Sequence, residues 1–290
     1  MTVCAQQIKI QASTGRSSSL GQTEYEQIRG LIRQVAGISL ADNKQSMVQR
    51  RLSGRLKALG MRNFSEYCDV LLAGDRSELE HFANAMTTNL TAFFRENHHF
   101  DFLANAVLPK LVRASKNRDK TIRIWSAGCS TGEEPYSLAM LINETCPIPR
   151  SIDFRILATD IDSDALLHGE TGVYTQERAN KISQTQLRRW FERGRGGNSG
   201  YVRVKPELRR DIAFKQLNLL RHWPMRKKFD VIFCRNVIIY FDKPTQKRLV
   251  GRFAKLLRPK GHLFLGHSES LMNVTDRFSL LGQSVYQKVS

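Results

Sequence analysis

The chain of 290 residues carries a net charge of +18, and its length suits a compact catalytic domain plus one smaller appendage. An apolar content of 41%, with fifteen Phe, seven Tyr and three Trp, supplies a hydrophobic core and excludes disorder away from the ends. No stretch reaches the roughly 18 consecutive apolar residues of a spanning helix, and no apolar signal-like segment follows the first basic residues, so a soluble cytoplasmic protein without membrane insertion is expected.

Residues 1–20 are rich in Gln, Ser, Thr and Gly without a sustained apolar period, which predicts a flexible tail. From Tyr25 to about Ala85 apolar residues recur at helical spacing (Ile28, Leu31, Ile32, Val35, then Met47, Val48, Leu52, Leu56, Leu59), with Gly37, Gly60 and Gly74 as breaks. A small all-α domain over residues 21–90 is the reading. In its second helix Lys44, Arg51 and Arg55 share one face beside the apolar face of Leu52, Leu56 and Leu59, and few acids balance the cations between Lys44 and Arg62. That face is either an ordinary solvated surface or a dock for acidic partners.

A linker and connecting helix (91–119, helical around Phe100 to Ser115) lead to a change of pattern near Lys120, where short β-rich runs begin to alternate with helices. The runs are 122–125, 154–157, 212–214, 231–234, 262–265 and 284–288, with a helix over 246–257. They predict an α/β domain over 120–290, a doubly wound parallel sheet. Between Gly172 and about Pro206 a basic, Gly-rich stretch interrupts the alternation and reads as a small inserted antiparallel β subdomain with a glycine turn.

The first strand ends in Ser126-Ala127-Gly128-Cys129-Ser130-Thr131-Gly132-Glu133-Glu134-Pro135, a glycine turn where backbone can approach a ligand. It matches neither the three-glycine dinucleotide fingerprint nor the phosphate loop. The next strand finishes in Ala158-Thr159-Asp160-Ile161-Asp162, which puts Asp160 where such folds hold ribose hydroxyls, while Asp162 suits a helix N-cap. A nucleoside cofactor without a pyrophosphate accounts for both features. Asn218 and Asn236 fall at two further strand ends, on the ligand-binding edge of the sheet; each is either an amide donor to such a ligand or a turn-forming residue.

The five cysteines (Cys4, Cys68, Cys129, Cys146, Cys234) are scattered and contain no C-x-x-C pair, which argues against a disulfide framework and a zinc site. No metal is expected. The positive charge predicts attraction to nucleic acid, acidic protein or a membrane surface, or serves solubility alone.

These features arrive together with Leu256-Leu257-Arg258-Pro259-Lys260-Gly261-His262-Leu263-Phe264, a helix end, turn and strand similar to those of class I methyltransferases. The segments TTNLTAFFRE (87–96), SAGCSTGEEPYS (126–137), ATDID (158–162), FDVIFCRNVIIYF (229–241) and LGHSE (265–269) closely resemble the CheR family of chemotaxis receptor methyltransferases, from about residue 22 to the C-terminus. The resemblance implies a Rossmann-like class I methyltransferase sheet behind an N-terminal all-α domain, with S-adenosylmethionine as cofactor and S-adenosylhomocysteine as product. It implies that Asn89, Thr91 and Arg95 close over the cofactor, while Glu134, Asp160, Asn218, Leu219, Asn236 and Val237 line its pocket.

It further implies methylation of receptor glutamates to methyl esters during sensory adaptation. A glutamate, with an ordinary pKa of about 4.3, is already ionised at neutral pH, so in-line displacement needs no general base. His98, His99, His222, His262 and His267 are accordingly structural or exposed. Arg95 is the candidate for gripping a carboxylate through two parallel bonds; Tyr240 is a second catalytic candidate or else a core aromatic. Arg51, Arg55 and Lys57 would dock the acidic helical bundle in the cytoplasmic part of the receptor, and the β subdomain would take a receptor C-terminal peptide as an added strand. A monomer is expected. The alternatives are a nucleic-acid methyltransferase, suggested by charge and by Arg193-Gly194-Arg195-Gly196-Gly197, and a non-catalytic S-adenosylmethionine-binding regulator.

Overall fold

The structure is a computed structural model that describes residues 19–115, 120–145 and 152–289. Cys4, Cys146 and nearly all of the expected tail lie outside these residues. Leu20 does not: it is buried, its N–H donates to Gln49 Oε1 and its carbonyl accepts from Gln45 Nε2.

Four helices build the N-terminal unit: α1 (Gln22–Ala36), α2 (Gln45–Ala58), α3 (Phe64–Leu72) and α4 (Arg76–Met86). Tyr25, Ile28, Ile32, Val48, Leu52, Leu56, Phe64, Tyr67, Phe82 and Met86 form its core, as helical spacing requires. Leu59, expected on the apolar face, is exposed because α2 has ended at Ala58. Asn63 caps α3 and Asp75 caps α4 through side-chain oxygens. Helix α1 stops at Gly37, whose φ of 75° is left-handed and whose missing Cβ would lie 2.4 Å from Leu220 Cδ1. The helical unit therefore packs directly on the later chain. Ser39 N–H donates to the Tyr240 carbonyl, Asn218 Nδ2 donates to the Val35 carbonyl, and Arg33 pairs with Asp242 at 2.6 Å.

After an irregular linker, α5 (His98–Phe102), a π turn over Leu103–Val107 and α6 (Leu108–Ser115) lead into the α/β unit. There β1 (Thr121–Ala127), α7 (Glu133–Thr145), β2 (Asp153–Asp160) and α8 (Ser163–Thr171) follow one another. Next comes the insertion: β3 (Val173–Thr175), α9 (Gln184–Trp190), β4 (Phe191–Arg193) and β5 (Tyr201–Val204). The chain closes with α10 (Pro206–Arg209), β6 (Ile212–Gln216), β7 (Phe229–Cys234), α11 (Lys243–Leu256), β8 (Leu257–Leu265), β9 (Phe278–Gly282) and β10 (Val285–Lys288).

The main sheet runs β6-β2-β1-β7-β8-β10-β9. Its first five strands are parallel, whereas β10 pairs antiparallel with both β8 and β9. An all-parallel reading is thus corrected at one edge. The turn between β9 and β10 holds Gln283 and Ser284 at positive φ, so the last two strands form a hairpin and need no crossover helix. Strand β9 escapes sequence reading because its alternation is weak: Leu280 and Leu281 are exposed.

Strand order reverses between β1 and β7, which opens a crevice at their carboxyl ends. The insertion forms its own antiparallel sheet, β3-β5-β4, tied to the main body by Tyr174 Oη donating to the Thr131 carbonyl and Trp190 Nε1 donating to Glu144.

The basic face of α2 is only partly free. Arg55 pairs in bidentate fashion with Glu78 of α4, its Nε lying 3.0 Å from Oε1, and Tyr67 Oη donates to the same carboxylate at 2.8 Å. Glu78 is 5% exposed. Burial pushes its pKa up, but the hydrogen bonds from Arg55 and Tyr67 outweigh that and hold it below the ordinary value.

Arg55→Ala should cost about 2 kcal/mol of unfolding free energy, because it strands a buried carboxylate beside a partly exposed partner. A folded-state pKa below the unfolded one adds stability that is present above the unfolded value and lost as pH falls through the folded one. The difference between parent and variant in chemical denaturation should therefore narrow from about pH 6 to about pH 3.

Candidate active site

A cavity of about 390 Å³ opens at the crevice between β1 and β7 and is closed on its far side by the helical unit. Asn89, Thr91, Arg95, Glu134, Asp160, Asn218, Leu219, Asn236, Val237 and Tyr240 all line it, and so does Arg51. Arg55 and Lys57 do not. Ala36, Ile38, Leu40 and Met47 supply an apolar wall from the helical unit.

The floor follows from strand geometry. Gly128, just past β1, has φ of 88°, and a Cβ there would lie 2.4 Å from Val237 Cγ2, so only glycine lets the β1 and β7 loops meet. Glu134, in the first turn of α7, accepts from Ser126 Oγ at 2.7 Å and from Arg235 Nη1 at 3.1 Å. Burial pushes its carboxyl up, and Arg235 and Ser126 counter this only in part. Asp160, at the end of β2, accepts Ser130 N–H at 2.7 Å on Oδ2 and Asp162 N–H at 3.0 Å on Oδ1. These backbone bonds oppose the burial that raises its pKa, and they fix both oxygens while leaving lone pairs for hydroxyl donors.

Asp162 turns away to cap α8 through Oδ1, while its Oδ2 accepts from Thr87 Oγ1 and Asn89 Nδ2, each at 2.6 Å. Asn89 in turn accepts from Ser130 Oγ at 3.0 Å, so the linker is pinned to the glycine loop. Asn218 uses its Oδ1 on Leu220 N–H and its Nδ2 on Val35, which makes it a turn former as well as a cavity residue. Arg95 donates through Nη1 to the Leu90 carbonyl at 2.6 Å. Arg51 reaches the same segment, with Nη2 2.7 Å from Thr88 Oγ1.

Sequence reasoning missed three residues here. Arg235, with 2% of its side chain exposed, lies 3.1 Å from Glu134 and 3.2 Å from Glu96, and it donates to the Arg95 carbonyl. Glu96 feels burial raising its pKa, but the His267 hydrogen bond and the Arg235 guanidinium overcome this and hold it at about 2. Glu269 is buried and accepts four backbone N–H groups. A cation directly after the all-apolar end of a buried strand, Val231–Cys234, was the available signal for Arg235. Glu96 finds its partners, Arg235 and His267, far along the chain, and Glu269 binds backbone N–H groups, so neither left a signal.

The lining includes one thiol, Cys129, whose pKa burial drives well above the ordinary value, and no histidine. The cavity thus offers fixed carboxylates, guanidinium groups and amides. It suits a ligand that carries hydroxyls and both charges of an amino acid, and its lining holds no histidine to serve as base for a protein nucleophile.

Comparison with known proteins agrees. The model of the CheR methyltransferase all-alpha domain matches residues 23–87, and that of the CheR methyltransferase SAM binding domain matches residues 89–287. The chain is similar to the chemotaxis protein methyltransferase of Escherichia coli, 43% identical over 270 residues that cover 92% of this chain and 91% of that protein. The Salmonella typhimurium counterpart is 44% identical over 270 residues, covering 92% and 91%. Chemotaxis protein methyltransferase 2 of Pseudomonas aeruginosa is 45% identical over 266 residues, covering 91% and 92%. Among the described residues no helix is long and apolar enough to cross a membrane. The chain therefore belongs to the CheR family of S-adenosylmethionine-binding chemotaxis methyltransferases.

Proposed function

We propose that this protein transfers a methyl group from S-adenosylmethionine to glutamate side chains of chemotaxis receptors, forming methyl esters. The observation that carries this reading is a cavity with two fixed carboxylates and a linker guanidinium but no histidine among its lining residues, as suits an acceptor that is already ionised. Bound there, S-adenosylmethionine supplies an electrophilic methyl carbon on a sulfonium.

The chain's own residues bind and orient. Asp160 receives the ribose hydroxyls, Glu134 the ammonium, and Arg95 either the cofactor carboxylate or the substrate glutamate, with Asn89, Thr91, Asn218, Leu219, Asn236 and Val237 completing the enclosure. Tyr240 faces the same cavity and is the second catalytic candidate. The apolar wall from α1 and α2 keeps water from the attacking oxygen, which raises its reactivity without any proton transfer. No metal takes part.

For the substrate, Arg51 at the cavity rim and exposed Lys57 present cations to an acidic receptor bundle, while Arg55 contributes less because Glu78 already engages it. In the order β3-β5-β4 the outer strands β3 and β4 have free edges within the small sheet, where a receptor tail would add as a strand. We place the enzyme in the cytoplasm as a monomer that acts on the cytoplasmic helical part of the receptor, and not on nucleic acid.

Arg95→Ala should lower turnover about 100-fold, through loss of a charge-assisted, orienting contact, and leave chemical denaturation unchanged. Base-labile label transferred from methyl-tritiated cofactor to receptor cytoplasmic fragments is the readout; near-normal turnover would sink the role, and label in RNA instead of receptor would sink the function. Asp160→Asn should weaken S-adenosylhomocysteine binding about tenfold in calorimetry. Raising salt from about 50 to about 500 mM should raise KM for the receptor and leave KM for the cofactor nearly constant.

A further inference from the structure

We propose that Glu269 is a positioning residue, whose buried carboxylate holds the loop after β7 in the conformation that presents Asn236 and Val237 to the cofactor. This rests on the reading that these two residues touch the cofactor. Past Cys234 the chain leaves the sheet, and Asn236 adopts a left-handed φ of 58°. N–H groups of this turn face a buried carboxylate, and buried N–H groups need acceptors. Glu269 supplies an acceptor for three of them. Its Oε2 accepts Asn236 N–H at 2.9 Å, and its Oε1 accepts Val237 N–H at 2.9 Å and Ile239 N–H at 3.2 Å. Gly266 N–H, from Glu269's own turn, adds a fourth bond at 2.6 Å. Glu269 is 4% exposed and is not among the residues lining the cavity, so it acts through the loop alone.

A second observation is independent of the carboxylate. Gly266 packs so closely on the loop that a Cβ there would lie 2.4 Å from Asn236 Nδ2 and 2.9 Å from Asn236 N. The segment from Gly266 to Glu269 also reaches the linker, since His267 N–H and Nδ1 lie 3.2 and 3.0 Å from the Glu96 carboxylate. One turn thus clasps the two segments that carry Asn236 and Arg95.

The test uses Glu269→Gln and Gly266→Ala in the full chain. In Glu269→Gln the carbonyl oxygen serves only part of the N–H set while the amide NH₂ confronts the rest; in Gly266→Ala the methyl displaces Asn236 with the carboxylate intact. Both variants should raise the Kd for S-adenosylhomocysteine about tenfold or more, as expected when polar loop groups lose their partners. KM for the cofactor should rise with it, kcat at saturation should change less, and the amide NMR signals of residues 236–239 should move. A merely structural role would lower the thermal midpoint and the calorimetric stoichiometry while the folded fraction kept its Kd. Kd values within about twofold of the parent would overturn the proposal, and if Glu269→Gln fails to fold, Gly266→Ala decides by the same criterion. Asn236→Ala separates the two layers. If it leaves cofactor affinity unchanged, the cofactor reading of the loop fails; if it weakens affinity while Glu269→Gln and Gly266→Ala do not, only the positioning role is overturned.

Discussion

The buried guanidinium of Arg235 is the interaction on which the site depends. It stands between Glu134 of the glycine-loop helix and Glu96 of the linker and donates to the backbone of Arg95. A cation with 2% of its side chain exposed is tolerable only with anionic partners at hydrogen-bonding distance. Those partners sit on separate segments, which are therefore drawn together. The parallel strands bring Gly128, Asp160 and Asn236 to one edge, and Arg235 fixes the linker over that edge. Because Glu96 is held ionised to about pH 2, the junction keeps its charge throughout the neutral range.

The same logic applies to the carboxylates at and behind the cavity floor. Asp160 and Glu269 are buried carboxylates held largely by backbone N–H groups. Dipoles fixed in a fold cost little to reorganise when a charge is bound, whereas flexible side chains must be ordered first. The site thus keeps Asp160 as a fixed acceptor at its floor, Glu269 as a fixed support behind the loop, and the long side chains of Arg51 and Arg95 in its lining.

Much of this was legible in the sequence where periodicity and strand ends speak. The helical unit, the alternating α/β unit and the inserted β element follow from local pattern, and the residues at the ends of β1, β2 and β7 follow from the rule that ligands bind at carboxyl edges. Asp162 caps α8, as its place just before that helix implies. What could not be read was pairing over long range. Arg55 looked like a free cation because its acid, Glu78, comes 23 residues later and on another helix. The antiparallel hairpin at the sheet edge was hidden by exposed leucines in β9, and Glu269 was hidden because its partners are backbone groups that every sequence contains.

The cavity wall contributed by Ala36, Ile38, Leu40, Met47 and Arg51 ignores the division of the chain into two consecutive domains, which falls near residue 88. A polypeptide begun at that point would lack this wall, which faces Leu219, Tyr240 and Phe241 across the cavity. Modularity in sequence is not modularity in space here: the cavity belongs to neither half, and a graft that exchanges the helical half between relatives exchanges one of its walls with it.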